Sequence, residues 1–200
     1  MRIDDPSLHT YQDVVADYRR RYASDHHAEM RMFGNPRQTL SGAILRACRS
    51  EIPKKRGRGL KRHSHQPLRT MSNEALGEAA TRLEAHEVDI AAATNFATLQ
   101  ALIEATIESI SGIGELAVYD ITLRIGAYRG LHPTEVYLHA GTRKGVQALG
   151  LSANRKSLPM TSLPADLRLL SAEEAEDLLC IYRQTLARIR GAEETVMQTS

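Results

Sequence analysis

Apolar residues recur at three- and four-residue intervals along most of the chain, the spacing that gathers them on one side of an α-helix. Leu8, Tyr11, Val14, Val15, Tyr18 and Tyr22 follow it, with Ser7 placed to cap a helix reaching about residue 23. Asn35–Pro36 reads as a second start, a cap followed by proline at the first helical position. That helix carries Leu40, Ile44, Leu45 and Cys48 on one side and ends before Pro53. Ser72 or Asn73 opens a third helix, to about residue 85, and a short segment follows around 88–93. Thr94 or Asn95 begins the next, with Phe96, Leu99, Leu102, Ile103, Ile107 and Ile110. Another runs from Glu115 to about residue 128. Pro133 stands near the start of a helix that reaches Leu149, weakened by Gly141 and Gly145. Residues 152–165 read as loop around Pro159 and Pro164. Ser171-Ala-Glu-Glu174 is a capping-box pattern, and Leu178, Leu179, Ile181, Tyr182, Leu186 and Ile189 continue a final helix. No alternating run long enough for a strand, no repeat and no low-complexity tract interrupts this. The predicted fold class is all-α.

A length of 200 residues allows one compact helical domain over 1–200, or two lobes sharing a core. No stretch approaches the roughly 18–20 apolar residues of a membrane span, and the start MRIDDPSLHT lacks an apolar signal core. A cytoplasmic protein with no membrane partner is expected. Cys48 and Cys180 are too few for a four-cysteine zinc or iron–sulfur site or for a disulfide framework. Seven Tyr, two Phe and no Trp argue against single-strand binding on aromatic platforms.

The net charge of +2 hides an asymmetry. Residues 53–69, PKKRGRGLKRHSHQPLR, hold seven Lys/Arg, two His and no acid. The rest keeps 19 basic against 24 acidic residues, a net of −5. Gly57, Gly59, Pro53 and Pro67 make the segment a loop. Such a cluster suits a phosphate backbone through counterion release, and equally a solvated surface loop.

Residues 96–129 carry the most informative pattern: a helix, the turn Ile110-Ser111-Gly112-Ile113-Gly114, and a second helix. Glycines permit backbone conformations that a side chain blocks, and the amides from Gly112 to Glu115 open the second helix as an anion site. Ile110 and Ile113 are placed to anchor the turn between the helices. The pattern resembles the helix-hairpin-helix motif, hydrophobic–x–Gly–hydrophobic–Gly. The wider stretch to Leu149-Gly150-Leu151 looks like the helix-hairpin-helix base-excision DNA glycosylases. Residues 133–151, with Val136-Tyr137-Leu138-His139-Ala140-Gly141-Thr142, then correspond to their catalytic loop.

That resemblance implies a two-lobed helical bundle, a double-stranded DNA partner and no cofactor. It also implies Ser111, Gly112, Ile113 and Gly114 as DNA contacts, while Arg143 and Lys144, beyond the His139 segment, read as phosphate contacts or equally as simple surface charge. The chain departs from the family where the chemistry sits. The loop Asp is absent. Alignment on Leu149-Gly150-Leu151 puts His139 at its place, and alignment on the Val-x-x-His spacing puts Tyr137 there. Glu115 and Leu116 stand where the lyase subset carries Lys, and the cysteine cluster of the iron–sulfur members is missing.

Base excision needs a carboxylate to stabilise an oxocarbenium-like sugar, a donor to help the base leave, and a base flipped from the stack. His139, Tyr137 and Asp120 are the candidate catalytic residues. Arg62, His63, His65 and Gln66 are candidates for contacting the flipped base or its phosphates. Two histidines do not complete a zinc site, so no metal is expected. Two functions remain: a monofunctional DNA glycosylase for modified or damaged bases, or a noncatalytic DNA-binding protein on the same scaffold. A weaker third is a helical protein whose basic loop meets a protein or RNA.

Overall fold

The computed structural model describes residues 4–53, 60–62 and 71–198. In chain order the helices are α1 (Tyr11–Tyr18), α2 (Ser24–Phe33), α3 (Leu40–Arg49), α4 (Asn73–Ala85), α5 (Glu87–Ala92) and α6 (Phe96–Ile107). They continue with α7 (Glu115–Arg129), α8 (Ala140–Ala148), α9 (Ala172–Ile181) and α10 (Arg183–Gln198). A π-helical turn, Arg19–Ala23, follows α1. Two antiparallel ribbons of three-residue strands accompany them. Strand β1 (Glu51–Pro53) pairs with β2 (Leu60–Arg62), and β3 (Glu135–Tyr137) with β4 (Ser157–Pro159). The fold class is all-α as predicted. The ribbons escaped notice because three residues are too few to show an alternation.

Two compact units divide the chain: Asp25–Pro133, and Met1–Ser24 with Thr134–Ser200. Each has its own core. In the unit 25–133, α3, α4, α6 and α7 pack around Ile44, Leu76, Leu83, Leu99, Ile103 and Ile121. Helix α7 lies at its centre, with every residue from Ala117 to Gly126 buried. That helix even buries Arg124, whose guanidinium reaches Glu29 at 3.2 Å and lies 5.1 Å from the Phe33 ring centroid. Burial pushes the Cys48 thiol in this core up to about 12, so it stays protonated.

In the unit formed by 1–24 and 134–200, α8, α9 and α10 pack on one another and α1 joins their core. The two glycines expected to weaken α8 are packing positions. A Cβ at Gly141 would stand 2.4 Å from the Cys180 Sγ, and one at Gly145 only 2.2 Å from the Leu179 carbonyl oxygen. Helices α8 and α9 therefore meet almost backbone to backbone at Gly145.

Several boundaries moved for local reasons. Helix α1 starts after Thr10, not Ser7. The Thr10 hydroxyl accepts from the Asp13 amide at 3.1 Å, and the Asp13 carboxylate accepts from the Thr10 amide at 2.9 Å. Ser7 instead bonds Asp5 in a turn. Helix α3 starts after Thr39, whose hydroxyl caps Gly42, while Asn35 turns back on the Arg37 amide. The helix expected from Pro133 begins at Ala140, since 135–137 pair as a strand.

Asp17, on α1, is buried and ties that helix to the junction of α9 and α10. It accepts from the Tyr182 hydroxyl at 2.8 Å and Arg21 Nε at 2.8 Å, and pairs with Arg20. Burial alone would raise its pKa, but the bonds from Arg20, Tyr182 and Arg21 together outweigh it and hold the carboxyl below its ordinary value. A depressed folded pKa contributes stability above the unfolded value near pH 4, and loses it as pH falls through the folded value. Asp17→Asn is expected to cost about 2 kcal/mol at pH 7 by weakening the bonds to two guanidiniums. It should also flatten the acid side of the stability profile. Thermal melts from pH 7 to pH 2 check both; parallel profiles for variant and parent would refute the assignment.

Candidate functional site

The hairpin of α6 and α7 has the predicted construction. Asn95 caps α6 through a bond from the Thr98 amide at 2.9 Å. The Ile110 amide donates to the Ile107 carbonyl at 3.1 Å, and the Ile113 amide to the Ile110 carbonyl at 3.0 Å, closing the turn. Ile110 and Ile113 are buried in the core of this unit, as the sequence predicts. Ser111, Gly112 and Gly114 are exposed.

The two glycines differ in kind. Gly112 has φ +90°, a region that L side chains rarely adopt, so the turn itself requires it. Gly114 caps α7 at φ −107°, ψ 173°, ordinary extended backbone open to any residue. A Cβ there would meet nothing within 4 Å. Ser, Thr, Asp, Asn and Gly are the preferred residues at such a cap, and with Gly there α7 has no side-chain cap bond. Nothing within the fold demands glycine at 114. What it provides is an unobstructed approach to the first amides of a helix of 15 residues.

Asp120 lies on this same helix, at 8% exposure, within the buried run. It was singled out as the nearest carboxylate of the second hairpin helix and proves to be a core position. The backbone of Arg62 stands in β2, opposite Glu51. His63, His65 and Gln66 lie outside the described residues.

The other candidates belong to the unit 1–24 with 134–200. His139 precedes α8 and is 3% exposed. Its Nε2 contacts Glu176 Oε1, and the Thr142 hydroxyl donates to the same carboxylate oxygen at 2.8 Å while lying 2.9 Å from Nε2. This buried triplet joins α8 to α9. Glu176 and Thr142 were not anticipated. A signal existed for Glu176: it sits four residues after Ala172 and three before Leu179, an acid on the buried stripe of α9. Tyr137 is half-buried in β3, opposite Ser157. Arg143, expected to meet phosphate, uses its Nη1 to donate to the carbonyls of Ala153 and Arg155, both at 2.8 Å, which ties down the loop before β4. Lys144 is exposed.

Compared with protein families, curated proteins and solved structures, the chain finds no match.

Among the described residues no group of three or more His, Cys, Asp or Glu is arranged to hold a metal ion. No helix among them is long and apolar enough to cross a membrane. The chemically distinctive features are the open helix start at Gly114 and the buried His139–Glu176–Thr142 triplet.

Proposed function

We propose that the protein binds double-stranded DNA, with the turn Ser111–Gly114 and the first amides of α7 holding a backbone phosphate. The observation that carries this is Gly114: exposed, conformationally ordinary and sterically unopposed, at a helix start with no side-chain cap. Glycine is also an ordinary residue at a helix start, and here it leaves the first amides of α7 open to close approach by a ligand. The basic segment 53–69 of the same unit supplies the sequence-independent attraction. The test is equilibrium binding to a duplex across salt concentrations. The logarithm of affinity is expected to fall linearly with the logarithm of salt, with a slope reporting several neutralised phosphates. Affinity independent of salt would overturn the proposal.

Base excision is a second reading, supported by one observation. Glu176 brings a carboxylate against His139, in the segment where the resembled glycosylases carry their catalytic Asp. In that reading the enzyme is a monofunctional glycosylase. Water adds to the anomeric carbon of a flipped nucleotide, the N-glycosidic bond breaks, and the base departs with a proton. The burial of His139, engaged by Glu176 and Thr142, weighs toward binding alone. Duplexes carrying a panel of modified bases, treated with alkali after incubation, separate the readings. Alkali-dependent breaks that vanish in His139→Ala and Glu176→Gln, with duplex binding retained, establish excision. Retained binding without breaks leaves the noncatalytic binder.

A further inference from the structure

Arg82 stands beside the hairpin and has no part in the duplex-binding reading so far. It lies in the last turn of α4, which packs against α6 in the unit 25–133. Its Nη1 donates to the Ser109 hydroxyl at 2.8 Å and to the Thr106 carbonyl at 3.4 Å. Thr106 belongs to the last turn of α6, where carbonyls have no partner further along the helix. Ser109 comes two residues before Ser111, where the turn assigned to phosphate begins. The guanidinium is thereby fixed to the limb of chain that leads into that turn.

A cap for α6 needs no more than these two bonds, and the guanidinium offers more. Of its five N–H donors, Nη1 commits two to the hairpin and Nη2 one to Glu78 at 2.5 Å. The other two, on Nε and Nη2, belong to a side chain 40% exposed. Glu78 is one turn back on α4 and is itself 47% exposed. An exposed ion pair of this spacing adds little stability, so a phosphate can take the place of Glu78 at small cost. Arginine suits that exchange, since its planar fork meets phosphate through parallel N–H bonds. Ser109 and Thr106 already order the side chain, so little rotamer freedom is lost on binding. The turn also calls for a cation. Glu108 and Glu115 flank it, both exposed, and each repels an approaching phosphate. The amides at the start of α7 answer them with partial charges alone.

We propose that Arg82 is a second phosphate contact of the hairpin. It exchanges Glu78 for the DNA backbone beside the phosphate held at Ser111–Gly114, and Glu78 moderates the affinity by competing for the guanidinium. This assignment rests on the duplex-binding reading above.

The experiment is equilibrium binding of the full chain to a short duplex over a range of salt concentrations. Arg82→Gln should lower affinity about 5- to 30-fold at low salt and reduce the slope of log affinity against log salt by about one. Arg82→Lys keeps the charge and loses the fork, so it should restore the parent slope. Glu78→Gln should raise affinity about two- to fivefold by releasing the guanidinium. That gain should vanish when Glu78→Gln is combined with Arg82→Gln. A role limited to capping α6 predicts instead that Arg82→Lys fails as Arg82→Gln does, since lysine lacks the fork that reaches Ser109 and Thr106 together. Parent affinity and slope in Arg82→Gln, a slope that Arg82→Lys does not restore, or a Glu78→Gln gain that persists without Arg82 each overturns the proposal. Salt-dependent binding by the parent with Arg82→Gln unaffected removes the Arg82 contact alone. A parent chain that binds no duplex removes both this contact and the duplex-binding reading.

Discussion

Gly114→Val is expected to lower affinity for duplex DNA by about 10- to 100-fold while leaving thermal stability within about 1 kcal/mol of the parent. The binding loss corresponds to one hydrogen bond to a charged group, worth roughly 1.5–3 kcal/mol. The stability forecast follows from the site itself. Valine is well suited to φ −107°, ψ 173°, and its Cβ meets nothing within 4 Å. Its methyl groups would project over the amides that open α7. The neighbouring Gly112→Ala is the contrasting control. With φ +90° it strains the turn, by about 1–2 kcal/mol, so it acts through folding. Fluorescence-anisotropy titrations and melting curves for both variants make the comparison. Equal duplex affinity for Gly114→Val and the parent would remove the phosphate role of the hairpin.

Gly145→Val should give the largest loss of stability of any single substitution considered, about 3 kcal/mol or more. The added Cβ would lie 2.2 Å from the Leu179 carbonyl oxygen and 2.7 Å from its carbon. Both are backbone atoms of α9, so no rotamer change relieves the clash and the helices must separate. Separation also breaks the triplet of His139, Thr142 and Glu176, which spans α8 and α9. For a protein of this size the corresponding fall in melting temperature is roughly 6–12 °C. Gly141→Ala should cost less, because its obstacle is the Cys180 side chain rather than a carbonyl. A melting temperature unchanged in Gly145→Val would contradict the packing of α8 on α9.

The hairpin was legible because its determinants are local. Periodicity marks α6 and α7, and two glycines flanking Ile113 mark the turn. The exact start of α1 was less so. Ser7 and Thr10 both qualify as caps, and only the reciprocal bond from Asp13 decides between them. Gly141 and Gly145 were read as helix weakeners because their reason lies on α9, more than thirty residues later. The same distance hid the contact of Glu176 with His139, 37 residues apart. Nothing local to Arg143 marks the carbonyls ten and twelve residues on that its Nη1 serves. Tertiary partners settle such polar residues, and no periodicity announces them.

The central claim is that the amides at the start of α7 contact a DNA backbone phosphate. Amide-resolved NMR of the full chain, titrated with a short duplex, addresses those atoms directly. The expected result is that the Gly112, Gly114 and Glu115 amide signals shift progressively with added duplex, and that the shifts shrink as salt rises. Duplex binding that shifts other amides and leaves these three in place would contradict the account.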